Sequence, residues 1–393
     1  MSFLLALLLS AQEPATAYRG ARLHTGEGAP IERGTLLVRG RLIEAVGVDV
    51  PLPDGTKVVD LSGKTVIPGL VDAASRAFLD AGDRVAGSPE HDVADALDFF
   101  RPDGSELRAR GVTTVYVAPA GTGLGAVVRL GAKPSIFKRR AALHLSLARS
   151  GEISTAAGRY EAYRQMTQLL EGARAYREAW DKYEAEKKAH DAKKAAGEKG
   201  LKEPTKPARD PAKDVLARAL DGADPLRVRM EAHAADSIGY ALRLAEEFKL
   251  RLILDGAAEG FERGADLAKA KVPVVVGPVL RYGPTTAETL RHTPACAAAL
   301  AKAGVAVLAI GSFGNDAGAS RFLAEAAGVA ASRGLDRERA LEAVTIGAAR
   351  ALGLDAEIGS LKKGKRADFV ILSGDPFDAR TSVERTVVDG EGS

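Results

Sequence analysis

The chain has a single cysteine, Cys296, which excludes an intrachain disulfide and a thiolate-bound zinc cluster. Long apolar runs are absent too: nothing reaches the roughly 20 residues that a membrane-spanning helix needs. Charge of one sign is in short supply, with a formal net charge of +3 at 27% charged residues. That balance argues against disorder and against a dedicated nucleic-acid binder. There is no Gly-x-Ser-x-Gly, no dinucleotide fingerprint and no cysteine beside a motif histidine. The six histidines include no His-x-His and no His-x-x-x-His pair.

What is present is enough for a large core and a small satellite domain, since 46% of 393 residues are hydrophobic. Cys296 falls in an Ala-rich stretch that reads as helix over 293–303, where it serves as a small apolar residue. At the N-terminus, Phe3 to Leu9 is a short apolar run, followed by Pro14 and the small-x-small triplet Ala15-Thr16-Ala17. We read residues 1–17 as a signal peptide and expect a periplasmic or secreted protein. The n-region carries no Lys or Arg. The competing reading is an apolar N-terminal strand on a cytoplasmic chain.

From Tyr18 onward the pattern is of short strands, with a hairpin over Thr35 to Gly47 that breaks at Gly40. Apolar runs then alternate with helical segments: 66–72, 112–118, 143–147, 228–232, 252–255, 272–276 and 305–310. Helices are expected over 236–249 and 319–332. Buried strands alternating with amphipathic helices predict an α/β fold, and the number of units favours a closed barrel over a doubly wound sheet. Residues 160–214 depart from this. They mix Lys, Glu and Ala, carry Tyr163, Tyr176, Trp180 and Tyr183 at helical spacing, and close on Pro204, Pro207 and Pro211. Interleaved acids make a solvated helical excursion, with its aromatics docked on the barrel, a better reading than a basic docking surface. The tail returns to strand character at 358–372 and 386–389. Gly364-Lys365 is no phosphate loop, because no Ser or Thr follows the lysine.

Three stretches together resemble the metal-dependent amidohydrolase superfamily, in its imidazolonepropionase-like branch. They are Gly63-Lys-Thr-Val-Ile-Pro-Gly-Leu-Val-Asp-Ala73, Glu231-Ala-His-Ala-Ala-Asp-Ser-Ile238, and Ala343 to Leu354 running into Ile358 to Val370 and Gly374-Asp-Pro376. The resemblance implies a distorted (β/α)8 barrel over 66–356. It also implies a small composite β-sandwich built from 18–65 and 357–393. It further implies a divalent ion, zinc or a relative, held at the barrel mouth by imidazoles and carboxylates, where it makes a hydroxide nucleophile.

The positions that the resemblance assigns to ligands carry other residues. The His-x-His slot on strand one holds Ala74-Ser75-Arg76, the strand-five position Glu231, the strand-six position Gly256 and the strand-eight position Phe313. Ala74, Gly256 and Phe313 offer no donor atom, and the Arg76 guanidinium cannot deprotonate to bind metal. His144 is nearest to the uncertain strand-four position. Glu231 and His233 share one face of a strand, and Glu231 is expected to pair with Arg76. Two function classes follow. One is a pseudo-hydrolase without metal, acting as a small-molecule binder or as partner to an intact paralogue or to a second copy. The other is an active hydrolase on non-peptide or cyclic C–N bonds, with an unconventional site around Glu231, His233, Asp255 or Asp316.

Overall fold

The computed structural model describes residues 13–80, 87–147, 155–280, 289–314 and 318–392. Phe3 to Leu9 and Asp316 lie outside them.

The chain first lays down five strands: β1 (Ala15–Leu23), β2 (Ile31–Arg39), β3 (Leu42–Gly47), β4 (Lys57–Asp60) and β5 (Thr65–Pro68). Eight more follow: β6 (Leu70–Ser75), β7 (Val112–Val117), β8 (Gly123–Arg129), β9 (Ser135–Ser146), β10 (Val228–Ala232), β11 (Leu252–Gly256), β12 (Val274–Val276) and β13 (Val307–Ile310). The tail supplies β14 (Phe369–Leu372), β15 (Val383–Val388) and β16 (Glu391–Gly392).

The first and last groups form one eight-stranded sheet, ordered β16-β15-β14-β5-β1-β2-β3, with β4 pairing β1. The two chain ends thus join in one composite sheet, packed around Tyr18, Leu23, Leu36, Ile43, Val66 and Phe369. The β2–β3 hairpin turns at Gly40, whose φ of +53° lies in the left-handed region. β5 belongs to this sheet, so the sheet extends to Pro68 and the barrel begins at Leu70. β1 starts at Ala15, and Ala15 and Ala17 are buried opposite Arg39 and Leu37.

The middle group is a second eight-stranded sheet in the order β13 to β6, which curls into a nearly closed barrel. At the closure Ser312 and Phe313 donate to the Ala74 carbonyl at 2.9 and 3.0 Å. The barrel departs from a regular (β/α)8 array in one place. β8 runs antiparallel to both neighbours, so β7, β8 and β9 form a meander with no helix between them. This strand escaped the sequence reading because Gly123, Gly125 and Arg129 break its apolar run.

Helices cover the outside at Ala235–Phe248, Gly264–Ala270, Cys296–Lys302 and Leu323–Ser332. The charged segment is a single helix over Ala156–Ala195, buried only at Ala162, Met166, Leu170 and Ala173. Tyr163 stacks on Tyr240 at 4.8 Å, which docks the first half on the barrel layer. Tyr176 instead donates to Asp214 at 2.6 Å, and Lys206 lies over the Trp180 ring, so these aromatics anchor the returning chain. Pro211 opens the helix Pro211–Ala219 rather than closing the excursion, as suits a proline in a first helical turn. Among the described residues no helix is long and apolar enough to cross a membrane.

Candidate functional site at the barrel mouth

Side-chain alternation decides what faces the lumen. On β9, β10 and β11 the residues Leu143, Leu145, Val228, Met230, Ala232, Leu252 and Leu254 pack outward into the main core. Their alternates Ala142 and Ile253 join Val71, Ala73, Tyr116, Val127, Val275 and Ala309 in a separate inner cluster. By the same period of two, His144, Ser146, Arg229, Glu231 and Asp255 point inward. Register sets them side by side: Arg229 is opposite His144, and Glu231 is opposite both Ser146 and Asp255.

These polar groups form one connected string. Arg229 donates to Asp255 Oδ1 from Nη2 at 2.8 Å and from Nε at 3.1 Å. The face of its guanidinium lies over the Tyr116 ring, with Cζ 4.2 Å from the centroid. Asp255 Oδ2 is 3.9 Å from His144 Nδ1, and His144 Nε2 is 3.6 Å from Glu231 Oε2. Both separations are ionic contacts rather than full hydrogen bonds. Ser146 donates to Glu231 Oε2 at 3.2 Å, and His233 Nε2 stands 3.3 Å from Oε1.

The environment splits the two carboxyls. Burial would push Glu231 up, but the His144 and His233 imidazoles beside it outweigh that effect and hold the group well below the usual carboxylate range. Burial pushes Asp255 up, and the opposing pull of Arg229 only moderates this. Burial also acts against the charge of Arg229, yet Asp255 and Tyr116 more than offset it. Several buried atoms along the string have no hydrogen-bond partner: both His144 ring nitrogens, His233 Nδ1, Asp255 Oδ2, Arg229 Nη1 and the Tyr116 hydroxyl.

The positions singled out from sequence do converge here. Phe313 reaches Ala74 through its backbone, and its ring meets the His233 ring edge-on with centroids 6.0 Å apart. A Cβ placed at Gly256 would strike the His233 ring, and one at Gly311 would touch Ala74 and Phe313. Ala74, Glu231, Gly256 and Phe313 therefore surround one centre, with His233 and Phe313 filling it.

One expectation fails. The Glu231 carboxylate does not pair with Arg76; its partners among the described residues are His144, Ser146 and His233. Arg76 carries an interaction of its own. The buried cation of the site is Arg229, which the sequence reading passed over. Its signal was available: an arginine within the strand run Val228 to Ala232, and a matching Asp255 in the otherwise apolar run 252–255. Of the four remaining histidines, His24 lies beside Glu338 at 3.4 Å, His190 beside Asp191 at 3.3 Å and His292 beside the Val279 carbonyl at 3.0 Å, while the His91 carbonyl accepts from Leu124 N at 2.7 Å.

A curled parallel-rich barrel with its polar residues at the strand C-termini, joined to a sheet made from both chain ends, defines an amidohydrolase-type architecture. Comparison with known proteins gives the same answer. Residues 296–392 match a model of the amidohydrolase family. The chain is 30% identical over 389 residues to an imidazolonepropionase of Deinococcus radiodurans, spanning 91% of this chain and 89% of that one. An amidohydrolase structure from Thermotoga maritima superposes with a TM-score of 0.79 at 28% identity, covering 96% of this chain and 99% of its own. A molinate hydrolase structure shares the fold at a TM-score of 0.57 and 15% identity, covering 97% and 95%. The chain belongs to the amidohydrolase superfamily, in its imidazolonepropionase-like branch.

The ion that such a fold implies needs nitrogen or oxygen lone pairs at about 2.0–2.2 Å, in sets of three or more. Ala74, Gly256 and Phe313 supply none. Glu231 is turned onto two imidazoles and a hydroxyl, and Asp255 onto a guanidinium. Among the described residues no group of three or more His, Cys, Asp or Glu is arranged to hold a metal ion. Among the described residues, then, none of these positions offers a set of donors that fits the ion.

Proposed function

We propose that this chain is an amidohydrolase-superfamily protein without a metal centre, a pseudo-hydrolase that works as a binding protein or as the partner of an intact paralogue or a second copy. One observation carries the reading: the His233 imidazole fills the volume into which a side chain at the strand-six position would project. A ligand missing from a still-open site could be an isolated change. Here the space is taken, and Phe313 packs against the occupant. A chelator should leave the melting temperature of the purified protein unchanged, whereas a clear drop would sink the reading. Co-purification from the native source tests the partner role; the expected find is a paralogue with an intact His-x-His pair or a self-dimer.

A second reading keeps hydrolysis of non-peptide or cyclic C–N bonds. It draws on the contact between Glu231 Oε1 and His233 Nε2, which would orient the imidazole with Nδ1 as a base. Nδ1 is buried, and it faces Gly256 rather than an open cleft, which counts against this. Turnover of cyclic amides that vanishes in His233→Ala would favour it. Export to the periplasm or beyond remains part of the proposal. Cleavage after Ala17 would remove the first three residues of β1, and N-terminal sequencing of the native protein decides the matter.

A further inference from the structure

The charged helix Ala156–Ala195 outruns its support. Its last buried side chain is Ala173, so the arm from Arg174 to Ala195, about 33 Å long at about 1.5 Å per residue, has no core beneath it. A helix that is polar nearly all round needs ion pairs along it or a neighbour beside it. Three ion pairs one turn apart run along this arm, Arg177–Asp181, Lys182–Glu186 and Lys187–Asp191, and exposed pairs of that kind contribute little. The neighbour on one side is the returning chain. Leu201, Pro204, Pro207 and Asp210 are half-buried with two exposed residues between each, the threefold repeat of a polyproline II segment. Asp210 N donates to Tyr176 Oη at 3.4 Å and Lys206 lies over the Trp180 ring, which sets this segment along the aromatic stripe. Beside it, Tyr176 and Trp180 line a cleft of about 440 Å³ together with Glu184 and Lys206. Charge along the arm is divided. Residues 178–186 hold four acids, Glu178, Asp181, Glu184 and Glu186, against Lys182 alone. Residues 187–194 hold Lys187, Lys188, Lys193 and Lys194 against Asp191 alone. Among the described residues, the ion pairs of the arm leave Glu178, Glu184, Lys188, Lys193 and Lys194 unengaged.

The two blocks are of similar length and meet between Glu186 and Lys187. Reversing the helix about that point brings Glu186 level with Lys187, Glu184 within a residue of Lys188 and Glu178 within a residue of Lys194. The arm is thus complementary in charge to an antiparallel copy of itself, as a twofold homodimer requires. We propose that the arm is where two copies of this chain associate, packed antiparallel about a twofold axis at Glu186 and Lys187. The acidic block of each lies on the basic block of the other, and each Trp180 cleft is closed by the other helix. This inference deepens the partner role proposed above by naming a second copy as the partner, and it does not depend on the absence of metal.

Sedimentation equilibrium of the full chain tests it. Wild type should be a dimer whose dissociation constant rises about tenfold or more from low to high salt, because exposed charge pairs are screened. Glu184→Lys with Glu186→Lys reverses the sign of the acidic block, and Lys187→Glu with Lys188→Glu reverses that of the basic block. Either double variant alone should be monomeric, its dissociation constant raised by about a hundredfold or more. Mixed in equal amounts, the two should form a heterodimer, since the reversals complement each other. All four positions are exposed, so the fold should be kept, and an unchanged unfolding midpoint checks it. A monomeric wild type, a dimer that survives either reversal, or reversed variants that stay monomeric when mixed would each overturn the proposal. A metal-free monomer that captures an intact paralogue would overturn this inference alone and leave the function proposed above standing. Stoichiometric metal in an arm-dependent dimer would do the reverse.

Discussion

The His233 ring stands where a side chain at Gly256 would begin. A Cβ built at 256 would lie 2.4 Å from Cε1 and 2.6 Å from Nδ1 of that imidazole. Gly256 also has a φ of +93°, a backbone conformation that other residues rarely adopt. Gly256→Ala should therefore destabilise the fold by about 3 kcal/mol, from backbone strain and overpacking together. The double variant with His233→Ala should recover the steric part and leave the backbone part. Denaturant unfolding of the cycle measures this, and purely additive losses would contradict the packing relationship.

The composite sheet is pinned to the barrel by Arg129 of β8, which is buried against Asp368 with Nη2 at 2.7 Å from Oδ1 and 3.0 Å from Asp389. Arg129→Met strands a buried carboxylate and should cost about 3–5 kcal/mol. The thermal unfolding midpoint reads the effect. A shift within experimental error would show that the ion pair does not couple the two units.

Glu231 titrates in the folded protein well below its ordinary value, because His144 and His233 outweigh the effect of burial. The folded state thus binds that proton less readily than the unfolded one. Its contribution to stability is present above an unfolded value of about 4.3 and is lost as pH falls through the lower folded value. Wild type should exceed Glu231→Gln in stability near neutral pH, and the gap should close in acid. A gap that widens on acidification would reverse the assignment.

Cys296 is buried, its Sγ lies 3.3 Å from the Ala257 carbonyl oxygen, and burial pushes its thiol up to about 11. At about pH 8 almost none of it is thiolate, so the native protein should resist thiol-directed reagents. Labelling should appear only on unfolding. Fast stoichiometric labelling of the native state would contradict this placement.

Much of the architecture was legible because the elements that carry it obey simple periods. The runs at 228–232 and 252–255 sit where β10 and β11 form, and Gly40 marks the hairpin turn. β8 was not legible, since its burial comes from tertiary pairing on both edges rather than from an apolar run. The convergence of Ala74, Glu231, Gly256 and Phe313 followed from the family resemblance, but the partner of Glu231 did not. Pairing across the lumen depends on side-chain reach and strand register, which is why Arg76 looked plausible while His144 and His233 hold the carboxylate. Arg229 shows the general limit. A charge buried in a strand signals something unusual, and only the curled barrel reveals that it faces Asp255 and Tyr116.

The most direct test of the central claim is the metal content of the wild-type protein. It would be expressed in medium supplemented with zinc and manganese, purified without chelator, and analysed by elemental mass spectrometry. The metal-free account expects far less than one equivalent of any divalent ion per chain, with no change in melting temperature on chelation. One or more tightly held ions per chain would contradict it and restore a working centre to the barrel mouth.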